Sequence, residues 1–354
     1  VRLSSVEVIP YALPFREPYV TARGTLRRRE MVLLRLRDGD GLLGLGEAVP
    51  LSLRGGVALK DVAEELEALA DLETVDEATL MGAGAGLSAP ARCAALTALM
   101  DLRGRRAAVE GAGSPAPPAP VACNATLVAA EPAAVAEDAR SWASAGFSTY
   151  KLKLGAEAGD DVGQVRAVRE AVGAAARIRI DANAAWDLER AKRTLSELEE
   201  FDVELAEQPV ATLEEAAEVA AATSIPIAAD ESVESRADAV RAVASGACRF
   251  AGVKLSKVGG PEEAIAIAEV LPSYMSSALD GPVGIAAAAQ VAQTLEENAR
   301  PGAVCLAHGL ATQWLFASTV ASVECELDGG MLHPPAGPGL GVEIDEDALQ
   351  AHRL

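Results

Sequence analysis

The chain has 354 residues, half of them apolar, which is longer than one typical domain and fits a barrel of about 250 residues with an added unit. Its formal net charge of −21 argues against nucleic acid and anionic membrane surfaces as partners and leaves small molecules and cations. No uncharged run nears the roughly 18–20 residues of a membrane span, no secretory leader opens the chain, and the five scattered cysteines include no CxxC pair, so a cytoplasmic location is expected.

Residues up to about 51 read as strands: VEVIPYALPF, then EMVLLRLRDGDGLLGLGEA, with Asp38-Gly39-Asp40-Gly41 supplying hairpin turn chemistry. The polar stretch EPYVTARGTLRRR between them reads as a mobile loop, and Arg27-Arg28-Arg29 as a solvated strand edge. From Leu59 to Arg106 the apolar spacing becomes helical. Residues 1–118 are therefore an α+β unit, closed by the Pro/Gly/Ala-rich AVEGAGSPAPPAPVA.

From 119 to 320 the chain alternates. Apolar runs at about 121–127, 149–154, 177–182, 203–207, 225–229, 249–255, 273–279 and 303–307 are mostly separated by amphipathic helix patterns. Eight strands at that rhythm predict an α/β barrel; a doubly wound open sheet would usually carry a glycine-rich phosphate loop after its first strand, and none is present. Residues 321–354 contain DGG and PPAGPGLG turns and are expected to pack back onto the N-terminal unit. His308, His333 and His352 are too dispersed for a zinc cluster, although His308 follows an apolar run and could reach the barrel mouth. Trp142, Trp186 and Trp314 read as packing residues.

Three acids close three successive runs: Asp181 ends ARIRID, Glu207 ends VELAE and Asp230 ends IPIAAD. They are 26 and 23 residues apart, one strand plus one helix per step. In a parallel barrel all three reach one mouth, where their mutual repulsion calls for a cation, Mg²⁺ with Mn²⁺ as the alternative. In TYKLKLG a period of two places Lys151 and Lys153 on one face, and Lys254 in FAGVKLSKVGG points inward likewise. An inward lysine beside a metal and a second ammonium has its neutral form favoured and can act as a general base. Lys257, beyond the strand, reads as a solvated loop charge. Asn183 and Glu231 stand beside the ligands and are candidates for orienting them; Lys151 and Asn183 are also candidates for holding a substrate carboxylate. Arg179, two residues before Asp181, shares its face and reads first as a structural ion-pair partner.

KLKLG, RIDANAAWD, ELAEQP, ADES and VKLSKVGG, in this order, resemble the muconate-lactonising-type subgroup of the enolase superfamily. That resemblance runs essentially end to end, because LPFREPYVTARGT and LLGLGEAVP look like the family's capping domain and specificity loop. It implies a modified TIM barrel, (β/α)7β, under an α+β cap made from both termini. It also implies that Lys153 abstracts a proton next to a carboxylate, that Lys254 lies on the opposite face of the substrate, and that Asp181, Glu207 and Asp230 hold the metal. Enolase-superfamily sites are a known case of a lysine or histidine base acting with Mg²⁺ on an enediolate. SSALDGPVGIAAAAQ and AHGLATQWLFA are similar to o-succinylbenzoate synthases, carbon–oxygen lyases on the route to menaquinone or phylloquinone. By that likeness Ser276, Ser277 and Gly309 contact the substrate's succinyl arm. Thr21, Arg23 and Arg16 belong to the loop over the mouth, where an arginine suits a dicarboxylate. N-acylamino acid racemisation and muconate lactonisation stay open as alternatives, as does association into a homo-oligomer.

Overall fold

In the computed structural model two long strands, β1 (Leu3–Thr21) and β2 (Gly24–Asp38), pair antiparallel and are followed by β3 (Leu43–Ala48) on the other side of β2. The description covers the chain apart from residues 1, 22–23, 52–54, 73–75, 82–85, 111–117, 157–158, 300–301 and 303. The expected loop at 17–29 is instead a continuation of the hairpin: after a register shift between Pro14 and Tyr19, Tyr19 pairs with Leu26, Val20 with Thr25 and Thr21 with Gly24. Arg27 and Arg28 are exposed, as a strand edge requires, but Arg29 is buried and its charge acts on Asp280. The tight turn between β2 and β3 is tied by the Asp38 carboxylate, which accepts from the backbone of Asp40 at 3.0 Å and Leu42 at 2.9 Å.

The period of two on β2 serves two cores. Val32, Leu34 and Leu36 pack with Val62 and Leu66 of α1 (Leu59–Glu67) and with Ala94 and Ala98 of α3 (Ala89–Val109), a short α2 (Glu77–Met81) lying between. Met31 and Leu33 face the other way and join Ile9, Tyr11 and Leu13 in a cluster continuous with the barrel. Helix α3 lies so close to β3 that a Cβ on Gly46 would overlap the Ala94 carbonyl oxygen.

The first barrel run splits in two: β4 (Val121–Ala122) and β5 (Ala125–Leu127). Then β6 (Thr149–Lys153), β7 (Arg177–Asp181), β8 (Val203–Glu207), β9 (Ile227–Ala229), β10 (Phe250–Val253) and β11 (Ser273–Met275) pair in chain order with β5, all parallel. Helices α4 (Pro132–Ser144), α5 (Asp161–Val172), α6 (Leu188–Leu198), α7 (Leu213–Ala222), α8 (Arg236–Ser245), α9 (Leu255–Val258), α10 (Pro261–Ala268) and α11 (Pro282–Glu297) connect them. Their starts are written locally: Asp160, Asp187 and Ser235 accept from backbone N–H groups, Thr212 and Glu215 form a capping box, and α10 and α11 open on proline.

The eighth run differs from expectation. Residues 304–307 form no strand, and among the described residues the barrel closes through the bridges of His308 and Gly309. His308 bridges Cys123 and Gly309 bridges Ser276; His308 N donates to Ala122 O at 2.7 Å and Gly309 N to Met275 O at 2.8 Å. The C-terminal segment contributes β12 (Ala321–Val323), paired with β15 (Glu343–Ile344), and the hairpin β13 (Glu326–Asp328)–β14 (Met331–His333), which pairs with β4. Helix α12 (Glu346–His352) lies on β1, where Leu354 N donates to Pro10 O at 3.0 Å. Among the described residues no helix is long and apolar enough to cross a membrane.

The β1–β3 sheet and the barrel meet at a buried acid. Glu47 on β3 accepts from the Tyr11 phenol at 2.9 Å and, at the start of α11, from Gly281 N at 2.6 Å. Burial, then the nearby Asp280 carboxylate, pushes its pKa up to about 8.

Two outcomes are expected. Gly46→Ala should cost about 3 kcal/mol of stability, measured by urea unfolding, because the new methyl meets backbone that has no room to yield. A buried acid with a raised pKa contributes stability that is complete below its unfolded value near 4.5 and is lost as pH rises towards 8. Melting temperatures measured from pH 5 to 8 should therefore fall less for Glu47→Gln than for the unaltered chain.

Candidate active site

Strand register sets the site. Lys153, Asp181 and Glu207 are the last residues of β6, β7 and β8, and the pairing puts Lys153 opposite Asp181 and Asp181 opposite Glu207. Asp230 and Lys254 directly follow β9 and β10. In parallel strands with alternating side chains, residues at one level project to the same interior mouth. One carboxylate oxygen from each of Asp181, Glu207 and Asp230 lies within 4.8 Å of the others, and all three residues are buried.

The backbone beyond the ligands is strained. Asn183 (φ 47°), Ala184 (φ 59°) and Gln208 (φ 39°) occupy the left-handed region, a cost of order 1–3 kcal/mol each that persists only where surroundings enforce it. The turn brings Asn183 N to 2.9 Å from Asp181 Oδ1. Gln208 Oε1 accepts from Asp230 N at 2.9 Å and from Ser232 N and Oγ at 3.2 and 3.0 Å, while its Nε2 donates to Val210 O at 2.9 Å. It thereby fixes the backbone of one acid of the triad from the residue after another. Only its adjacency to Glu207 could have drawn attention to it in the sequence.

Four ammonium groups face the three acids. Lys151 Nζ donates to both Glu207 oxygens at 2.6 Å and stands 2.9 Å from Asp181 Oδ2. Lys153 Nζ donates to Asp181 Oδ2 at 2.6 Å and Asn183 Oδ1 at 3.1 Å, and Lys254 Nζ donates to Asp230 Oδ2. Lys257 is the fourth, and the solvated-loop reading of it is corrected: it is buried, donating to Asp230 Oδ1 at 2.9 Å and to the Asp230 carbonyl. The short helix α9 explains this, since its first turn carries Lys257 back under the strand end. Burial alone would raise the Asp181 carboxyl, yet Lys151 and Lys153 outweigh it and hold it well below the usual carboxylate range. Burial works against the Lys151 and Lys153 ammoniums too, and the facing carboxylates outweigh it, so both pKa values are raised.

Beneath this layer Tyr274 donates from its phenol to Glu207 Oε2, and Arg179 lies over the tyrosine ring at 5.0 Å. Arg179 pairs with Glu204 and donates to Ala307 O at 2.6 Å rather than meeting Asp181. His308 is turned away from the mouth: its Nδ1 accepts from Met275 N at 2.9 Å and its Nε2 lies 3.3 Å from Glu296.

The residues expected to contact substrate divide into groups. Asn183 joins the ligand layer, and its Nδ2 donates to Glu231 Oε1 at 3.3 Å. Ser276 and Gly309 are adjacent across the barrel closure. The Ser277 hydroxyl is instead used within its own turn, donating to Asp280 at 2.8 Å and accepting from Leu279 N and Asp280 N at 2.9 Å. Arg16 donates to the Phe316 carbonyl at 2.8 Å, which ties β1 to the barrel. Arg23 lies outside the described residues, and of Thr21 only the backbone, ending β1, is described.

The donor set fits a hard divalent cation: three converging carboxylates, all oxygen, at the mouth of a rigid barrel. Comparison with known proteins agrees with that geometry. An o-succinylbenzoate synthase of Thermobifida fusca is 41% identical over 186 residues, a match spanning 51% of this chain and 59% of that protein. The crystal structure of a muconate lactonizing enzyme from Pseudomonas fluorescens, complexed with muconolactone, superposes with a TM-score of 0.89 at 26% identity, covering 100% of this chain and 99% of that one. A dipeptide epimerase from Enterococcus faecalis, complexed with Mg and the dipeptide L-Leu-L-Tyr, gives 0.86 at 25% identity over 97% and 100% of the two chains. The family profile "Enolase C-terminal domain-like" matches residues 134–348, and "Mandelate racemase / muconate lactonizing enzyme, N-terminal domain" matches 4–110. With most of its length matched by these two profiles, the chain belongs to the enolase superfamily of enzymes.

Proposed function

We propose that the chain is a metal-dependent carbon–oxygen lyase that dehydrates 2-succinyl-6-hydroxy-2,4-cyclohexadiene-1-carboxylate to o-succinylbenzoate. Asp181, Glu207 and Asp230 would hold the metal, for which Mg²⁺ is the first candidate and Mn²⁺ the second. When bound, the ion supplies Lewis-acid stabilisation of negative charge on the substrate carboxylate.

Lys153 is the base. Burial and the Lys151 ammonium favour its neutral, basic form, against the Asp181 carboxylate it faces, which keeps its pKa raised. It takes the proton from the carbon bearing the carboxylate. The C–O bond at the neighbouring carbon then breaks, and the hydroxide leaves as water with the proton Lys153 had taken. Lys254, across the triad on Asp230, stays cationic and stabilises the anion from the opposite face. Lys151, on Glu207 and Asp181, carries a further positive charge towards the substrate carboxylate.

The observation that carries the choice of reaction is the chemistry of the barrel closure. An epimerase acting on a free dipeptide must hold an ammonium group, for which acidic side chains are the natural partners. Residues 304–312 contain no acid, and Gly309 beside Ser276 offers backbone and a hydroxyl instead. These suit a neutral or anionic arm such as succinyl, and the 41% identity to a synthase supports the same reading.

In an assay with Mg²⁺, the cyclohexadiene carboxylate should be turned over and N-succinyl amino acids racemised slowly or not at all. Turnover of the second substrate without the first would replace dehydration by racemisation. Lys153→Ala should lower kcat by about 10²–10⁴-fold. Lys254→Arg, which keeps a charge, should retain more dehydration than any racemisation present; equal loss of both would show general disruption of the pocket.

A further inference from the structure

Glu207 receives two donors of different kinds. Lys151 is carried on a flexible stem and is shared with Asp181, so it can move between the two acids. The Tyr274 phenol on Oε2 cannot move in that way. Its ring is fully buried in a small apolar cluster with Leu205, Ala228 and Leu306. One ring face carries the Arg179 guanidinium at 5.0 Å, itself fixed by Glu204 and the Ala307 carbonyl. Near the hydroxyl stands Gly252, where a Cβ would lie 3.0 Å from the phenol oxygen and 3.4 Å from Glu207 Oε2. One oxygen of Glu207 is thus anchored from below by a neutral, immobile donor.

We infer that Tyr274 is a positioning residue that restricts Glu207 to ligation through one oxygen and so biases the triad towards small octahedral cations over Ca²⁺. This rests on the reading of the triad as a cation site. Two-oxygen capture requires a carboxylate to swing both oxygens towards one ion, and the phenol anchor opposes that swing. Ca²⁺ accepts six to eight oxygens and commonly takes carboxylates in two-oxygen fashion, whereas Mg²⁺ requires six at near-octahedral angles. Loss of the anchor therefore weakens Mg²⁺ without the same penalty for Ca²⁺.

The test is calorimetric titration of Mg²⁺ and of Ca²⁺ into metal-free protein, for the unaltered chain, Tyr274→Phe and Gly252→Ala. Tyr274→Phe keeps the ring and removes only the hydroxyl, and its melting temperature in chelator reports that the fold is retained. Mg²⁺ Kd should rise about tenfold, within the 10–100-fold typical of groups that orient a ligand, with Ca²⁺ Kd unchanged or lower. The affinity ratio of Mg²⁺ to Ca²⁺ should then fall by about the same factor. Gly252→Ala, which crowds the phenol and removes no polar group, should move the ratio in the same direction and decides the matter if the phenylalanine variant does not fold. A ratio unchanged within about twofold, whether both affinities drop together or neither does, overturns the role of Tyr274. Failure of the unaltered chain to bind Mg²⁺ overturns the cation site itself, a distinct result.

Discussion

Opposite charges buried at one level of a parallel barrel are the constraint on which the rest of this structure depends. Three carboxylates and four ammonium groups share the mouth, none of these residues more than 8% exposed. Such groups carry heavy desolvation costs, recovered only when geometry is good and every partner is present; loss of one typically costs about 3–5 kcal/mol. The network is therefore poor as a stabilising device and demanding as a folding problem. Under the proposed function its use is chemical, because preorganised charge held away from water acts on a substrate far more strongly than the same charge in water.

Much else follows from supplying that geometry. The register that places Lys153, Asp181 and Glu207 side by side comes from β6, β7 and β8 ending together, and the left-handed turns after β7 and β8 let the chain leave without disturbing the acids. Gln208 and Lys257 hold the backbone and the side chain of Asp230, the acid that follows its strand rather than ending it. Below them, Arg179, Tyr274 and Leu205 fill the interior, so the charged layer rests on packed side chains. The strain is local, while the rigidity that sustains it is distributed through the barrel.

How much of this could be read in advance depends on whether the signal is periodic. The acids and inward lysines stand at or near the ends of apolar runs spaced by about one strand plus one helix, and period-two alternation settles their direction, so the layer was legible. Lys257 was misread because a single turn of helix reverses the direction its position after a strand implies. The hairpin at 17–29 was misread as a loop because its polar residues reflect an exposed edge and say nothing against strand pairing. The eighth strand was displaced because two bridges suffice to close a barrel, and the run AVCLA, whose Val304 and Cys305 are exposed and whose Leu306 and Ala307 are buried, packs without pairing. Tyr274 and Gln208 escaped notice for another reason: their roles are contacts across the barrel, to Glu207 67 residues earlier and to the Asp230 backbone 22 residues later.

The same reasoning separates what the enzyme family shares from what distinguishes this chain. The charged layer suits any reaction that begins with removal of a proton beside a carboxylate, and relatives named for muconate lactonisation, dipeptide epimerisation and o-succinylbenzoate synthesis all superpose on this fold or align with it. Under the proposed function, discrimination would come from groups that touch the remainder of the substrate, for which the barrel closure and the side of the β1–β3 sheet are the proposed places. At the closure, Gly309 removes bulk and charge where another residue type would add them. On the other side, Tyr11, Glu47 and Gly281 join the β1–β3 sheet to the start of α11, one residue beyond the Ser277–Asp280 turn that follows Ser276. A shift of that sheet would therefore be felt at the closure, through a turn whose hydroxyl and carboxylate are already committed to each other. Under the same proposal selectivity would be set at the joint between the β1–β3 sheet and the start of α11, and the charged layer could stay unchanged while that joint is varied.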